Sequence, residues 1–257
     1  MPNFDYAPAP ESQSIVDIRS SYGLFVNGEF IDTASGQRRK TVNPATEEVL
    51  AEVAEAGESD VDAAVTAARR AYDTVWRRMR GADRAKYLYR LARIIQERAR
   101  ELAVLETIDN GKPIRESRDV DIPLVAAHFF YYAGWADKLQ HAGFGPDPRP
   151  LGVAGQVIPW NFPLLMLAWK IAPALAAGNT VVIKPAETTP LTALIFAEIL
   201  QQAELPAGVV NIITGAGDTG QALVQHPDVN KVAFTGSTAV GRAIAKSVAG
   251  TGKKLTL

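Results

Sequence analysis

From Pro150 onward the chain alternates short apolar runs with amphipathic segments, and this alternation narrows the possible folds more than any other feature. The runs are GVAGQVI at 152–158, TVVIK at 180–184, VVNII at 209–213, KVAF at 231–234 and KLTL at 254–257. Helical patterns fill the gaps at 162–177, 190–203, 219–226 and 238–249, and Thr189 before Pro190 predicts an N-cap followed by proline in the first turn. Strands joined by helices pair in parallel, because a parallel connection needs a long crossover. Runs rich in Val and Ile, without polar alternation, are buried on both faces. The expected fold class is α/β: a doubly wound, mostly parallel sheet with helices on both faces.

The half before Pro150 predicts mainly helices. Residues 1–21 are polar and punctuated by proline, an expected N-terminal arm, and 22–257 form the expected domain, helical to 150 and α/β from 151. In LFVNGEFID, Asn27-Gly28 sits between alternating apolar residues and predicts a tight hairpin at 24–31. Ser59 is the expected N-cap of a helix whose inner face is Val61, Ala64, Val65, Ala68, Tyr72, Val75 and Trp76. Leu88, Leu91, Ile95, Ala99 and Leu102 mark a second helix, left near Asn110-Gly111. A third is expected from Pro113 to Leu139, and its aromatic cluster from His128 to Trp135 reads as core, the commoner role of aromatics at helical spacing.

Composition excludes several classes of function. With 27 basic and 28 acidic side chains dispersed along 257 residues, no basic block exists to track phosphates, so nucleic acid is not an expected partner. The most apolar run, 162–178, is broken by Lys170 and Pro173 and is too short for a membrane span. The start has neither a basic nor an apolar export region, which makes the cytoplasm the expected location. There is no cysteine, hence no disulfide, thiolate metal site or thiol nucleophile, and no metal is expected.

In doubly wound sheets ligands bind beyond the carboxyl ends of the strands. Those ends carry PWNF, KPAE, TGAGDTG and TGSTAVG. Gly215, Gly217 and Gly220 form a G-x-G-x-x-G between a strand and a helix, but the acidic residue expected about 20 positions later is missing. A plain glycine turn is therefore an equal reading. Gly236, Ser237 and Thr238 open a helix with small residues and free N–H groups, suited to phosphate; the alternative is a simple cap by Ser237 or Thr238. Lys184 and Glu187 are either a structural ion pair or contacts to a ribose.

Taken together, VIPWNFPLLMLAWKIAPALAAGNTVVIKPAETTP, LPAGVVNIITG and KVAFTGSTAVG resemble the NAD(P)-dependent aldehyde dehydrogenase family, from about Tyr22 to Leu257. The resemblance implies a modified Rossmann sheet whose pyrophosphate site lies at the G-S-T turn rather than at a standard glycine fingerprint. It implies that Ile158, Pro159 and Trp160 border NAD, that Lys184 and Glu187 contact the adenosine ribose, that Gly217 lies on the adenine side, and that Gly236, Ser237 and Val240 shape the pyrophosphate site. Asn161 would donate to the oxyanion formed when a cysteine thiolate attacks an aldehyde. Lys170 would relay a proton, unless it is a helix lysine reaching solvent.

In the family, KKLTL precedes E-L-G-G-K, with a general-base glutamate and, further on, the catalytic cysteine. The resemblance thus implies the cofactor-binding portion of an NAD-dependent oxidoreductase that converts an aldehyde to a carboxylic acid, itself expected inactive. The alternative is a non-catalytic module that binds nucleotide or partner subunits. Full-length relatives imply a homo-oligomer, and the short, proline-rich 137–150 segment suggests a reduced oligomerisation hairpin.

Overall fold

A computed structural model describes residues 12–143, 145 and 147–257, so most of the expected N-terminal arm lies outside the described residues. The elements in chain order are β1 (Ser21–Tyr22), β2 (Leu24–Val26), β3 (Glu29–Ile31), β4 (Arg38–Val42) and β5 (Val49–Ala54), then α1 (Glu58–Thr74), α2 (Gly81–Glu97), α3 (Ala99–Asn110), a single turn α4 (Ile114–Glu116) and α5 (Ile122–Trp135). The alternating half follows: β6 (Val153–Val157), α6 (Pro163–Ala176), β7 (Thr180–Lys184), α7 (Leu191–Gln202), β8 (Val210–Ile212), α8 (Gly217–Gln225), β9 (Lys231–Phe234), α9 (Thr238–Val248) and β10 (Lys254–Thr256). Among the described residues no helix is long and apolar enough to cross a membrane.

The main sheet runs β10-β9-β6-β7-β8-β2-β3, with the five strands of the alternating half all parallel. From β6 the chain winds outward through β7 and β8, then returns to the other side of β6 as β9. The strand order therefore reverses between β6 and β9. On β7, Val181 and Ile183 enter a core shared with α2, α3 and α5–α7, while Val182 enters a second core with α1, α8 and α9. Burying each such side chain contributes about 2 kcal/mol.

The 24–31 hairpin forms as expected, with Asn27 at φ 54° and Gly28 at φ 87°, and the structure adds its neighbour: β2 pairs antiparallel with β8, Phe25 opposite Ile212. A lone two-stranded hairpin is marginal in water, and β8 would otherwise present an open edge. A second sheet, β1-β5-β4, has no counterpart in the sequence reading. Several expectations are corrected. Ser59 does not cap α1; the cap is Gly57, whose N–H donates to Asp60 Oδ2 at 2.9 Å. The expected second helix is two helices, broken at Arg98, whose guanidinium spans Glu101 and Glu198. The third contains a π-helical turn at Ser117–Asp121. Its aromatic cluster is only partly core, since Phe129 is buried and Tyr131 is exposed. Thr189 does not cap α7 either: the Leu191 N–H donates to Asp109 Oδ2 at 2.9 Å, from a different helix.

Candidate functional site

The reversal of strand order leaves a cleft beyond the carboxyl ends of β6, β7 and β9, with a volume of about 930 Å³. Ile158, Pro159, Trp160, Asn161, Lys184, Glu187, Gly217, Gly236, Ser237 and Val240 all line it. Residues up to 82 positions apart in sequence meet here because each follows a parallel strand, and parallel strands end on the same side. Helices α8 and α9 direct their N-termini to the same cleft, adding unsatisfied N–H groups and partial positive charge.

At the end of β7 the Lys184 ammonium is buried. It donates to Gly215 O at 2.7 Å and Pro185 O at 2.9 Å, and lies 3.6 Å from Glu187 Oε2. Burial pulls its pKa down, opposed by the Glu187 carboxylate. Glu187 is half-exposed to the cleft, so the pair is looser than a closed structural bridge. The three glycines of the fingerprint have different reasons. A Cβ on Gly215 would lie 2.1 Å from Thr219 Oγ1, and one on Gly220 would press on the Lys184 stem at 3.4 Å. Gly217 faces nothing within 4 Å, leaving open space in the wall of the cleft.

Ser237 caps α9: its Oγ accepts the Val240 N–H at 3.3 Å. The cap spends one donor, and the remaining first-turn N–H groups stay at an exposed helix end. Gly236 has a packing role beneath this turn, where a Cβ would meet the Phe234 ring at 2.5 Å.

Asn161 is exposed, and two residues of α3 that the sequence reading missed fasten the chain on either side of it. Asn110 Nδ2 donates to the Trp160 carbonyl, and Glu106 Oε2 accepts the Leu164 N–H at 3.4 Å. Burial pushes the Glu106 carboxyl up to about 8; the charge of Lys112 opposes this and that of Asp121 adds to it. Lys112 pairs with Asp121 while its ammonium sits 3.9 Å from the Phe162 ring centroid, fixing the next side chain as well. A Glu and an Asn four apart on one helix face were the available signal, but their target 50 or more residues away was not legible.

Lys170 does not line this cleft. It faces a second one, about 850 Å³, on the sheet face covered by α6. Its Nζ does not reach freely into solvent; it donates to Thr235 Oγ1 at 2.7 Å. Burial, followed by the charge of Lys231, brings its pKa down to about 8. Phe234 and Thr235 border both clefts, so the Thr235 hydroxyl stands between them.

A family model described as the aldehyde dehydrogenase family matches residues 30–257. A putative aldehyde dehydrogenase, DhaS, of Bacillus subtilis is 50% identical over 91% of this chain and 49% of its own length. The mitochondrial aldehyde dehydrogenase of Rattus norvegicus is 50% identical over 92% of this chain and 47% of its own. Among solved structures, an NAD+ complex of an aldehyde dehydrogenase from Bacillus cereus superposes with a TM-score of 0.88 at 45% identity, covering 93% of this chain and 51% of that one. The chain spans about half the length of the relatives it matches.

Proposed function

The chain belongs to the aldehyde dehydrogenase family, and we propose that its 257 residues are the part of such an enzyme that cradles NAD and presents Asn161 to an aldehyde carbonyl. The observation that carries this reading is the convergence of Lys184, Glu187, Ser237 and Asn161 on one cleft at the reversal of strand order. The cleft fits a dinucleotide in three further respects. It is open where Gly217 lacks a side chain, it receives two helix N-termini suited to a pyrophosphate, and its wall includes the buried, unpartnered Ser247 Oγ.

When bound, NAD+ supplies the hydride acceptor for aldehyde oxidation. Glu187 would accept hydrogen bonds from ribose hydroxyls, and Lys184, whose ammonium gives two protons to backbone carbonyls, would turn its third, which faces Glu187, to the same ribose. Ile158, Pro159 and Trp160, which line the cleft, would border the cofactor, and Gly236, Ser237 and Val240 would hold its pyrophosphate. The Asn161 amide donates to the carbonyl oxygen as negative charge builds on it, a contribution of about 10² to 10³ in rate for one such donor. Lys170 exchanges a proton across the partition through the Thr235 hydroxyl. The whole protein is proposed to act on an aldehyde as a homo-oligomer, a reading supported by exposed apolar side chains such as Leu124 and Tyr131.

These residues include no cysteine, so the nucleophile that turns an aldehyde into a hydride donor is not among them. We therefore propose that the 257-residue chain binds NAD without oxidising aldehydes. The test is a titration of the purified chain with NAD, followed by the fluorescence of the exposed Trp160, with Trp160→Phe as control. Saturable binding without NADH formation in the presence of hexanal is expected. A folded chain that does not bind NAD would overturn the cofactor reading, and NADH formation that vanishes in Asn161→Ala would overturn the claim of inactivity.

A further inference from the structure

The end of the cleft that carries Lys184 and Glu187 holds more charge than that pair. Glu187 is shared by two hollows: it lines the large cleft, and it also lines a pocket of about 360 Å³ whose wall includes Arg39. Arg39 comes from β4 in the small sheet, and its Nη2 donates at 2.8 Å to Oε1 of Glu55, just past the end of the neighbouring β5. Arg39, Glu55 and Glu187 meet again around a narrow recess bordered by Gly215, whose carbonyl holds the Lys184 ammonium.

These four charged groups act on one another. The Glu55 hydrogen bond raises the Arg39 pKa, burial opposes this, and the charges of Glu55 and Glu187 add to it. Burial pulls the Lys184 pKa down and Glu187 opposes it, while the charges of Arg39 and Glu55 follow in opposite directions. Arg39 and Lys184 offset Glu55 and Glu187, so the cluster is close to neutral although a carboxylate faces the cleft. Lys40, the next residue on β4, is exposed and points to the opposite face of its strand.

We propose that Arg39 is a cofactor-specificity residue, whose charge offsets Glu187 and lets this end of the cleft admit the 2′-phosphate of NADP beside its preferred NAD. The proposal rests on the contact between Glu187 and the ribose put forward above. Glu187 favours a ribose with free hydroxyls and opposes a phosphate; Arg39, on the other side of Glu187 from the cleft, weakens that opposition. Without Arg39, Glu55 becomes a second carboxylate lacking its partner, and the cluster turns negative where the phosphate must sit. The ribose of NAD is uncharged at this position and is nearly indifferent to the change.

The Arg39 side chain is 46% exposed, so water screens it and the dielectric of bulk water applies. A unit charge about 8 Å from a nearly doubly charged phosphate then changes affinity about sixfold at low ionic strength. Added salt should shrink this factor, because groups that face solvent are screened over a Debye length of about 8 Å at physiological ionic strength.

The experiment is a calorimetric titration of the 257-residue chain and its variants with NAD and with NADP at low ionic strength. Arg39→Met is expected to weaken NADP binding about sixfold and NAD binding by less than about twofold. Glu55→Gln should move the affinity for NADP in the opposite direction, and Arg39→Lys, which keeps the charge, should retain it. Lys40→Met should leave the ratio of the two affinities unchanged. Equal weakening of NAD and NADP in Arg39→Met, or a Lys40→Met that matches it, overturns the proposal; the second outcome would assign the ratio to the net charge of the molecule. A parent chain that binds NAD and not NADP also overturns it and leaves the NAD reading standing, whereas a folded chain that binds neither refutes both.

Discussion

The carboxyl of Glu106, sealed beneath the segment that carries Asn161, should make stability depend on pH in a way that one substitution isolates. Its side chain has no exposure, and one oxygen, Oε1, has no hydrogen-bond partner. Burial raises its pKa from 4.5 to about 8, so the native state holds a proton that the unfolded chain has already lost. For a raised pKa, the stabilisation is fully present below pH 4.5 and is lost as pH climbs through 8. Between pH 7 and 8 the native carboxyl goes from about nine-tenths to one-half protonated, while the unfolded one stays charged. An average difference of about 0.75 proton over one pH unit corresponds to a loss of about 1 kcal/mol.

Glu106→Gln keeps an oxygen to accept the Leu164 N–H and removes the titration. Lys170, lowered to about 8, also titrates in this window but does so in both proteins and cancels in the difference; Asp109, raised to about 7, is the smallest of the causes that raise Glu106, so its titration cancels in large part. Urea unfolding of the two chains at pH 6, 7 and 8 should show the variant gaining about 1 kcal/mol on the parent between pH 7 and 8. Parallel stability curves over that interval would mean that Glu106 is ionised in the fold, and the reasoning from its burial would fail.

Glu187→Gln should narrow a preference for NAD over NADP. A unit charge about 4 Å from the 2′-phosphate is opposed by about 4 kcal/mol at an effective dielectric of 20, and the half-exposure of Glu187 reduces this to a change of roughly tenfold in the affinity ratio; an unchanged ratio by calorimetric titration would count against the ribose contact. Gly217→Ala and Gly236→Ala should separate binding from folding. The first places a methyl in open space and should weaken NAD binding while leaving the thermal midpoint nearly unchanged. The second drives a methyl to 2.5 Å from the Phe234 ring and should lower the midpoint by several degrees, for a cost of about 1–3 kcal/mol. Equal effects on both quantities in both variants would refute the distinction.

Much of the architecture was legible because it is periodic. The alternation after Pro150 set the parallel sheet, since strand and helix differ in repeat and a parallel crossover must be long. The residues at the strand ends were legible as a group for the same topological reason, and they line one cleft. The break at Arg98 was invisible because a one-residue interruption leaves the apolar spacing of α2 and α3 almost intact. The pairing of β2 with β8 was equally hidden, since the hairpin's own pattern does not name its neighbour.

What required tertiary structure was every property set by a partner distant in sequence. Asp109 rather than Thr189 holds the start of α7, and Glu106 with Asn110 fastens the segment around Asn161. Lys170 is one helical lysine in the sequence; only its burial against Thr235, in a chamber shared with Lys231, lowers its basicity. Local pattern determines which segments become helix or strand and which side they bury, because those choices depend on nearby residues. Ionisation, capping across elements and the contents of a cleft depend on distances that exist only after the sheet has brought remote segments together.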